Sequence, residues 1–163
     1  MKIQSGFTLI ELMIVIVVLA IILTLGVPSF RSIIQNNRAT TIANDLVAGL
    51  QVARSEALKL RANVRMCRRN AAGNACEDGT NWAVGWLVCS EPCAAADVLR
   101  VWEPVPGDGT VTGPNAGITF RSTGMATGGG TFAVALPGCT GNEQRNIFVL
   151  ASGSLNQTRA ACP

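Results

Sequence analysis

GFTLIELMIVIVVLAIILTLGVPSF, Gly6 to Phe30, is an almost uninterrupted apolar run. From Phe7 to Val27 it carries a single charge, Glu11. At about 1.5 Å per residue that run makes a helix of roughly 30 Å, the thickness of a hydrocarbon layer. A carboxylate alone in lipid is expensive, so Glu11 needs a counter-charge or a neutral state. On one reading it simply rests near the membrane surface. On the other, lateral assembly supplies the counter-charge. If proteolysis exposes Phe7, its α-ammonium lies about one helical turn from position 11. In a staggered stack, the ammonium of one copy then meets Glu11 of the next. Such a pair fixes register more than it adds stability, because desolvation offsets much of the attraction.

Before this run, Met1–Gly6 (MKIQSG) is a short polar leader with one positive charge, which favours a cytoplasmic Met1 and a domain on the far side. Pro28 removes a helical donor and crowds the carbonyl four residues back, so a kink is expected there. The helical pattern resumes to about Leu60, with Ile34, Ile42, Leu46, Leu50, Ala53 and Ala57 near one face. A continuous helix from Phe7 would span roughly 80 Å. Glu56 and Lys59 are spaced for a weak pair. Beyond them come short β-branched and aromatic runs: NVRMC, NWAVGWLVC, VLRVWEP, GITFR, TFAVAL and RNIFVLA. Gly and Pro separate these runs, as in GDGTVTGPNAG, TGMATGGG and Leu136-Pro137-Gly138. The expected class is α+β: one long helix whose C-terminal half lays its apolar face on a mostly antiparallel β-sheet. Trp82 and Trp86, four apart in a strand-like run, are expected on one sheet face as packing residues.

The 163 residues contain neither His nor Tyr, which excludes histidine metal sites and Ser–His or Cys–His nucleophiles. Arg54 and Glu56 in ARSEA point to different helix faces, so they do not form an acid–base pair. GDG lacks the oxygen ligands of a calcium loop, and none of the glycine-rich stretches has the pattern of a phosphate loop. No catalytic residue, cofactor or metal is expected. Six cysteines, all beyond the apolar run, point to an oxidising compartment. Local spacing and the need to tether the tail favour Cys67–Cys76, Cys89–Cys93 and Cys139–Cys162, with a four-cysteine zinc site as a lesser alternative. Net charge is only +3, but Arg61, Arg65, Arg68 and Arg69 crowd one short segment. They could bind phosphate, or simply form a solvated basic face.

The N-terminal stretch closely resembles that of type IV pilins and type II secretion pseudopilins. ANDLVAGLQVARSEALKLRANV, NWAVGWLV, GITFRSTG and RNIFVLASGSL extend the resemblance to the GspH/FimT family over nearly the whole chain. The resemblance implies cleavage after Gly6 by a prepilin peptidase, N-methylation of Phe7, an assembly role for Glu11 and a helix-breaking Pro28. It also implies a leader over 1–6, a transmembrane and filament-core helix over 7–28, an amphipathic helix over 29–61 and a β-rich periplasmic domain over 62–163. The implied function is that of a minor type IV pilin, a structural subunit for assembly or initiation at or near the filament tip. Its partners would be major and minor pilins, and it would sit as a single pass in the inner membrane before entering an extracellular pilus. An H-type pseudopilin of type II secretion is the first alternative, and a DNA-binding pilin for natural transformation is the second. FimT-like members resemble DNA receptors with a GRxR-type motif near the C-terminus. At the matching place, Gly153-Ser154-Leu155-Asn156, both arginines are absent and only Arg159 is near.

Overall fold

The computed structural model describes residues 8–163, apart from the side chains of 25–29 and 31. The chain divides at Ile34/Gln35 into two units. One helix, α1 (Leu9–Leu60), runs through the boundary. In the first unit, the large apolar side chains between Leu9 and Leu23 are all exposed, from 49% at Val18 to 77% at Leu9. Among the described residues of that unit none covers them.

In the second unit, Ala39, Ile42, Ala43, Leu46, Leu50, Ala53 and Ala57 form the buried stripe of α1, at the three- and four-residue spacing of one helix face. Fully burying a leucine such as Leu46 or Leu50 contributes about 2 kcal/mol. The alanines and Gly49 let the sheet come close. A Cβ on Gly49 would lie 3.0 Å from the Met66 Cε and 3.1 Å from the Trp86 Nε1. Ile34, expected on the same stripe, is 57% exposed. It lies just before the residue at which the second unit begins, so the stripe effectively starts at Ala39.

Two four-stranded sheets face this stripe, where a single sheet was expected. The first has the order β3-β2-β1-β5, built from β1 (Val64–Arg68), β2 (Trp86–Ser90), β3 (Val98–Trp102) and β5 (Ile118–Phe120). The second has the order β4-β6-β7-β8, from β4 (Thr110–Thr112), β6 (Gly130–Ala135), β7 (Gln144–Val149) and β8 (Leu155–Ala160). Neighbouring strands pair antiparallel throughout. Strand alternation sends Val64, Met66, Trp86 and Val88 to the helix side of the first sheet, and Phe132, Val134, Ile147 and Val149 to that of the second.

Trp82 departs from the strand reading. It starts a 3₁₀ turn, Trp82–Val84, capped by the Asn81 Oδ1, which accepts from the Ala83 N–H. The Trp82 ring meets Phe132 edge-on with centroids 4.8 Å apart, and its Nε1–H donates to the Pro114 carbonyl at 3.1 Å. Trp86 is the strand residue, stacked on its cross-strand partner Trp102 at 6.3 Å.

On the outer face of the first sheet, Cys67, Leu87 and Cys89 form a small second core, edged by Cys76, Cys93 and Val98. Two disulfides, Cys67–Cys76 and Cys89–Cys93, are built into it. The third, Cys139–Cys162, holds the segment after β8 to the turn after β6. That turn closes through the Cys139 N–H to the Leu136 carbonyl at 3.0 Å, with Gly138 at φ +72° as a type II turn requires.

Candidate assembly interface

The start of α1 is fixed by Thr8. Its Oγ1 accepts from the Glu11 N–H at 3.3 Å, and its carbonyl accepts from the Leu12 N–H at 3.2 Å. Thr8-x-x-Glu11 thus has the spacing of a capping box, and places the Glu11 carboxylate in the first turn, where the helix dipole favours negative charge. This local role was readable as T-x-x-E ahead of an apolar run, a signal the reading of Glu11 as a lone charge passes over. Glu11 itself is exposed, on a helix whose neighbouring apolar residues are exposed as well. A helix apolar on every side has to be covered by lipid or by other helices.

Gly6 and Phe7, the expected cleavage and methylation positions, lie outside the described residues, as does the Pro28 side chain. Among the described residues no helix is long and apolar enough to cross a membrane. The sequence run Phe7–Val27 extends beyond the described side chains at both ends.

The arginine run at 61–69 separates into individually occupied groups. Arg65 pairs with Glu91 at 2.9 Å, Arg68 with Glu77 at 3.2 Å and Arg69 with Glu103 at 2.7 Å. Arg68 also donates to the Asn81 carbonyl at 2.9 Å. Arg68 and Arg69 line a cavity of about 520 Å³ with Glu77, Val84 and Pro104, so carboxylate and cations share that space. Arg61 stands apart as the residue that ends α1, exposed and at φ +53°. In ARSEA, the Arg54 Nη1 donates to the Gly153 carbonyl at 2.9 Å, tying helix to loop, while Glu56 pairs with Lys59 at 3.4 Å on the surface. The Cys67, Cys76 and Cys89 sulfurs lie within 4.8 Å of one another. All three are in disulfides and carry no thiolate to offer a metal.

Arg145 is the residue sequence reading missed. It is 3% exposed, the one buried charged side chain among the described residues. Its Nη1 donates to the Glu143 carbonyl at 3.1 Å, and its Nη2 to the Thr40 Oγ1 at 3.4 Å and the Asn36 Oδ1. Burial lowers its pKa below the usual guanidinium value; the Arg159 charge lowers it further and Glu143 opposes. The signal was the alternation of RNIFV, which puts Arg145 on the inward face with Ile147 and Val149.

The model for type II transport protein GspH matches residues 43–153. The chain belongs to the GspH family. The prokaryotic N-terminal methylation motif matches residues 1–27 of the same GspH-family chain, the part that holds Gly6, Phe7 and Glu11. The type IV major alpha-pilin and fimbrial protein Q of Moraxella bovis are each 41% identical to it over 49 residues. Those matches cover 30% of this chain and 31% of each relative, so the chain spans about a third of the length of the curated relatives it matches. Two crystal structures of the type IV minor pilin FimU of Pseudomonas aeruginosa share its fold at 22% identity. One has a TM-score of 0.61 over 78% of this chain and 96% of its own; the other has 0.58 over 76% and 99%. The family is that of GspH, and the fold is that of a pilin.

Proposed function

We propose that this chain is a minor type IV pilin, a structural subunit that supports pilus assembly or initiation at or near the filament tip. The carrying observation is the exposed apolar surface of α1 between Leu9 and Leu23, with Glu11 at its start. In this reading prepilin peptidase cuts after Gly6 and Phe7 is methylated. The helix holds the subunit as a single pass in the inner membrane with its β-rich domain periplasmic. It then leaves the bilayer to pack against the helices of major and minor pilins. Each half-exposed leucine or isoleucine so covered contributes about 1 kcal/mol. Glu11 sets the register by meeting a neighbour's N-terminal ammonium, and Pro28 allows the helix to bend.

The test is Glu11→Ala in cells carrying the rest of the pilus. Membrane insertion is expected to stay normal while the fraction of subunit recovered in sheared pili falls by roughly tenfold, a loss corresponding to one well-placed ion pair. Wild-type incorporation of the variant refutes the role given to Glu11. Recovery of assembled subunit with residues 1–6 still attached, read by mass spectrometry, refutes the processing step.

The family description favours a second reading, an H-type pseudopilin of a type II secretion apparatus. Copurification with secretion components rather than with pilins would select it. The DNA-uptake reading draws little from Arg65, Arg68 and Arg69, because each already faces a carboxylate.

A further inference from the structure

β8 is the outermost strand of the second sheet, paired on one side only, to β7. Arg159 on β8 stands directly opposite Arg145 on β7. Both lie on the face that turns toward α1, since Ile147 and Val149 of that register are core residues. Between them lies a recess of about 340 Å³, lined by Thr40, Arg145, Gln157, Thr158 and Arg159. Arg145 forms its floor, nearly inaccessible, while Arg159 is exposed at the rim.

Like charges directly opposite across an antiparallel pair are destabilising. Here one of the two is also buried, and neither is in an ion pair: those of the described residues join Lys59, Arg65, Arg68 and Arg69 to their carboxylates. Glu143 acts on Arg145 through space, but its carboxylate accepts from the Thr140 N–H at 3.1 Å. Two guanidiniums against one carboxylate leave the neighbourhood with one positive charge in excess. A single oxyanion between the two arginines would turn a repulsion into two attractions: Arg145, whose Nη groups already donate to Glu143, Thr40 and Asn36, acts through its charge, while the exposed fork of Arg159 can meet a carboxylate in two-point contact.

We propose that the recess binds a carboxylate carried by an extended acidic segment of a partner protein, added as a further strand along the free edge of β8. The edge supplies backbone donors and acceptors, which give affinity without regard to sequence. Arg159 supplies selectivity: a strand with an apolar or basic residue at that position leaves the arginine pair uncompensated, whereas one with Glu or Asp neutralises it. A nucleic-acid strand fits less well. It needs a continued basic track, and the dense arginines at 65, 68 and 69 are committed to Glu91, Glu77 and Glu103, while Glu143 repels a polyanion here. The inference goes beyond the filament-subunit reading and depends on neither Glu11 nor N-terminal processing.

The test uses the full-length chain in detergent micelles with arginine side chains labelled for NMR. The probe is a synthetic strand-forming peptide of about six residues, the length of β8, with one central glutamate. Its twin carries glutamine there, and a short oligothymidylate serves as the rival ligand. The glutamate peptide should shift the Nε–H signals of Arg145 and Arg159 and the β8 amides, and bind at least about tenfold more tightly than the glutamine twin. Arg159→Gln, an exposed change that leaves the core alone, should abolish that preference, whereas Arg121→Gln, on an exposed residue elsewhere, should keep it. Equal binding of the two peptides, binding of neither, or stronger displacement of the same signals by oligothymidylate would overturn the proposal.

Discussion

Removing the Cys139–Cys162 bridge tests how the end of the chain is held. The two cysteines are 23 residues apart and enclose both β7 and β8. In the chain-entropy picture a loop of that length restricts the unfolded chain enough to stabilise the fold by about 3.4 kcal/mol at 25 °C. The same expression gives only about 2 kcal/mol for Cys89–Cys93, four residues apart. Cys139 and Cys162 are each only partly buried, so alanine at both adds little cavity cost. The double variant Cys139→Ala/Cys162→Ala should therefore lose about 3 kcal/mol, or roughly 10 °C in Tm for a unit of this size. Urea unfolding followed by tryptophan fluorescence is the assay, because Trp82, Trp86 and Trp102 all lie in the unit that begins at Gln35. Hydrogen exchange adds the location: β8 amides should lose protection first, since the Cys162 N–H bond to the Gly141 carbonyl, 2.9 Å, goes with the tether. A loss below about 1 kcal/mol, or unchanged β8 protection, would show that the bridge does not hold the end of the chain.

Two further changes probe the helix. Leu46→Ala removes a fully buried side chain from the stripe between the sheets and should cost about 3 kcal/mol in the same denaturation assay; a loss under about 1 kcal/mol would mean the site collapses freely. Arg61→Gly should instead stabilise by about 0.5 kcal/mol, because Arg61 ends α1 in the left-handed region that glycine occupies without a Cβ clash; any loss of stability would show that its side chain contributes more than its backbone costs.

The 3.6-residue period of α1 is legible because burial on a helix face is a local property: Ile42, Leu46, Leu50, Ala53 and Ala57 all lie where the spacing puts them. Ile34 breaks the pattern because periodicity does not say where the partner surface ends. The apolar strand runs are readable for the same local reason. Their division into two sheets is not, since it depends on pairings between residues far apart, such as Val64 with Phe120. β4 is hidden inside GDGTVTG, where the glycines read as turns, and only Val111 is buried. β8 is hidden by its polarity, which an edge strand with little cover tolerates. Both tryptophans pack in the core as their spacing suggests, but only Trp86 is in a strand, because Gly85 at φ +94° separates the Trp82 turn from β2.

Charge shows the largest gap between sequence and space. Density along the chain singles out positions 61 to 69, but the antiparallel pairing of β1 with β2 puts Glu91 near Arg65, and the loops return Glu77 and Glu103 to Arg68 and Arg69. For a phosphate to bind any of these arginines it must first displace a carboxylate already within 3.2 Å, which reduces the gain from counterion release. Arg145 is unremarkable in the sequence and Arg159 draws notice only as the lone arginine near the Gly153–Asn156 stretch, yet the β7–β8 register sets them side by side without a carboxylate in an ion pair with either. A positive region competent for a partner is therefore marked by arginines left without an ion-paired carboxylate rather than by the number of arginines. On that criterion an anionic partner gains more at the Arg145–Arg159 pair on the edge of the second sheet than at Arg65, Arg68 or Arg69 of the first.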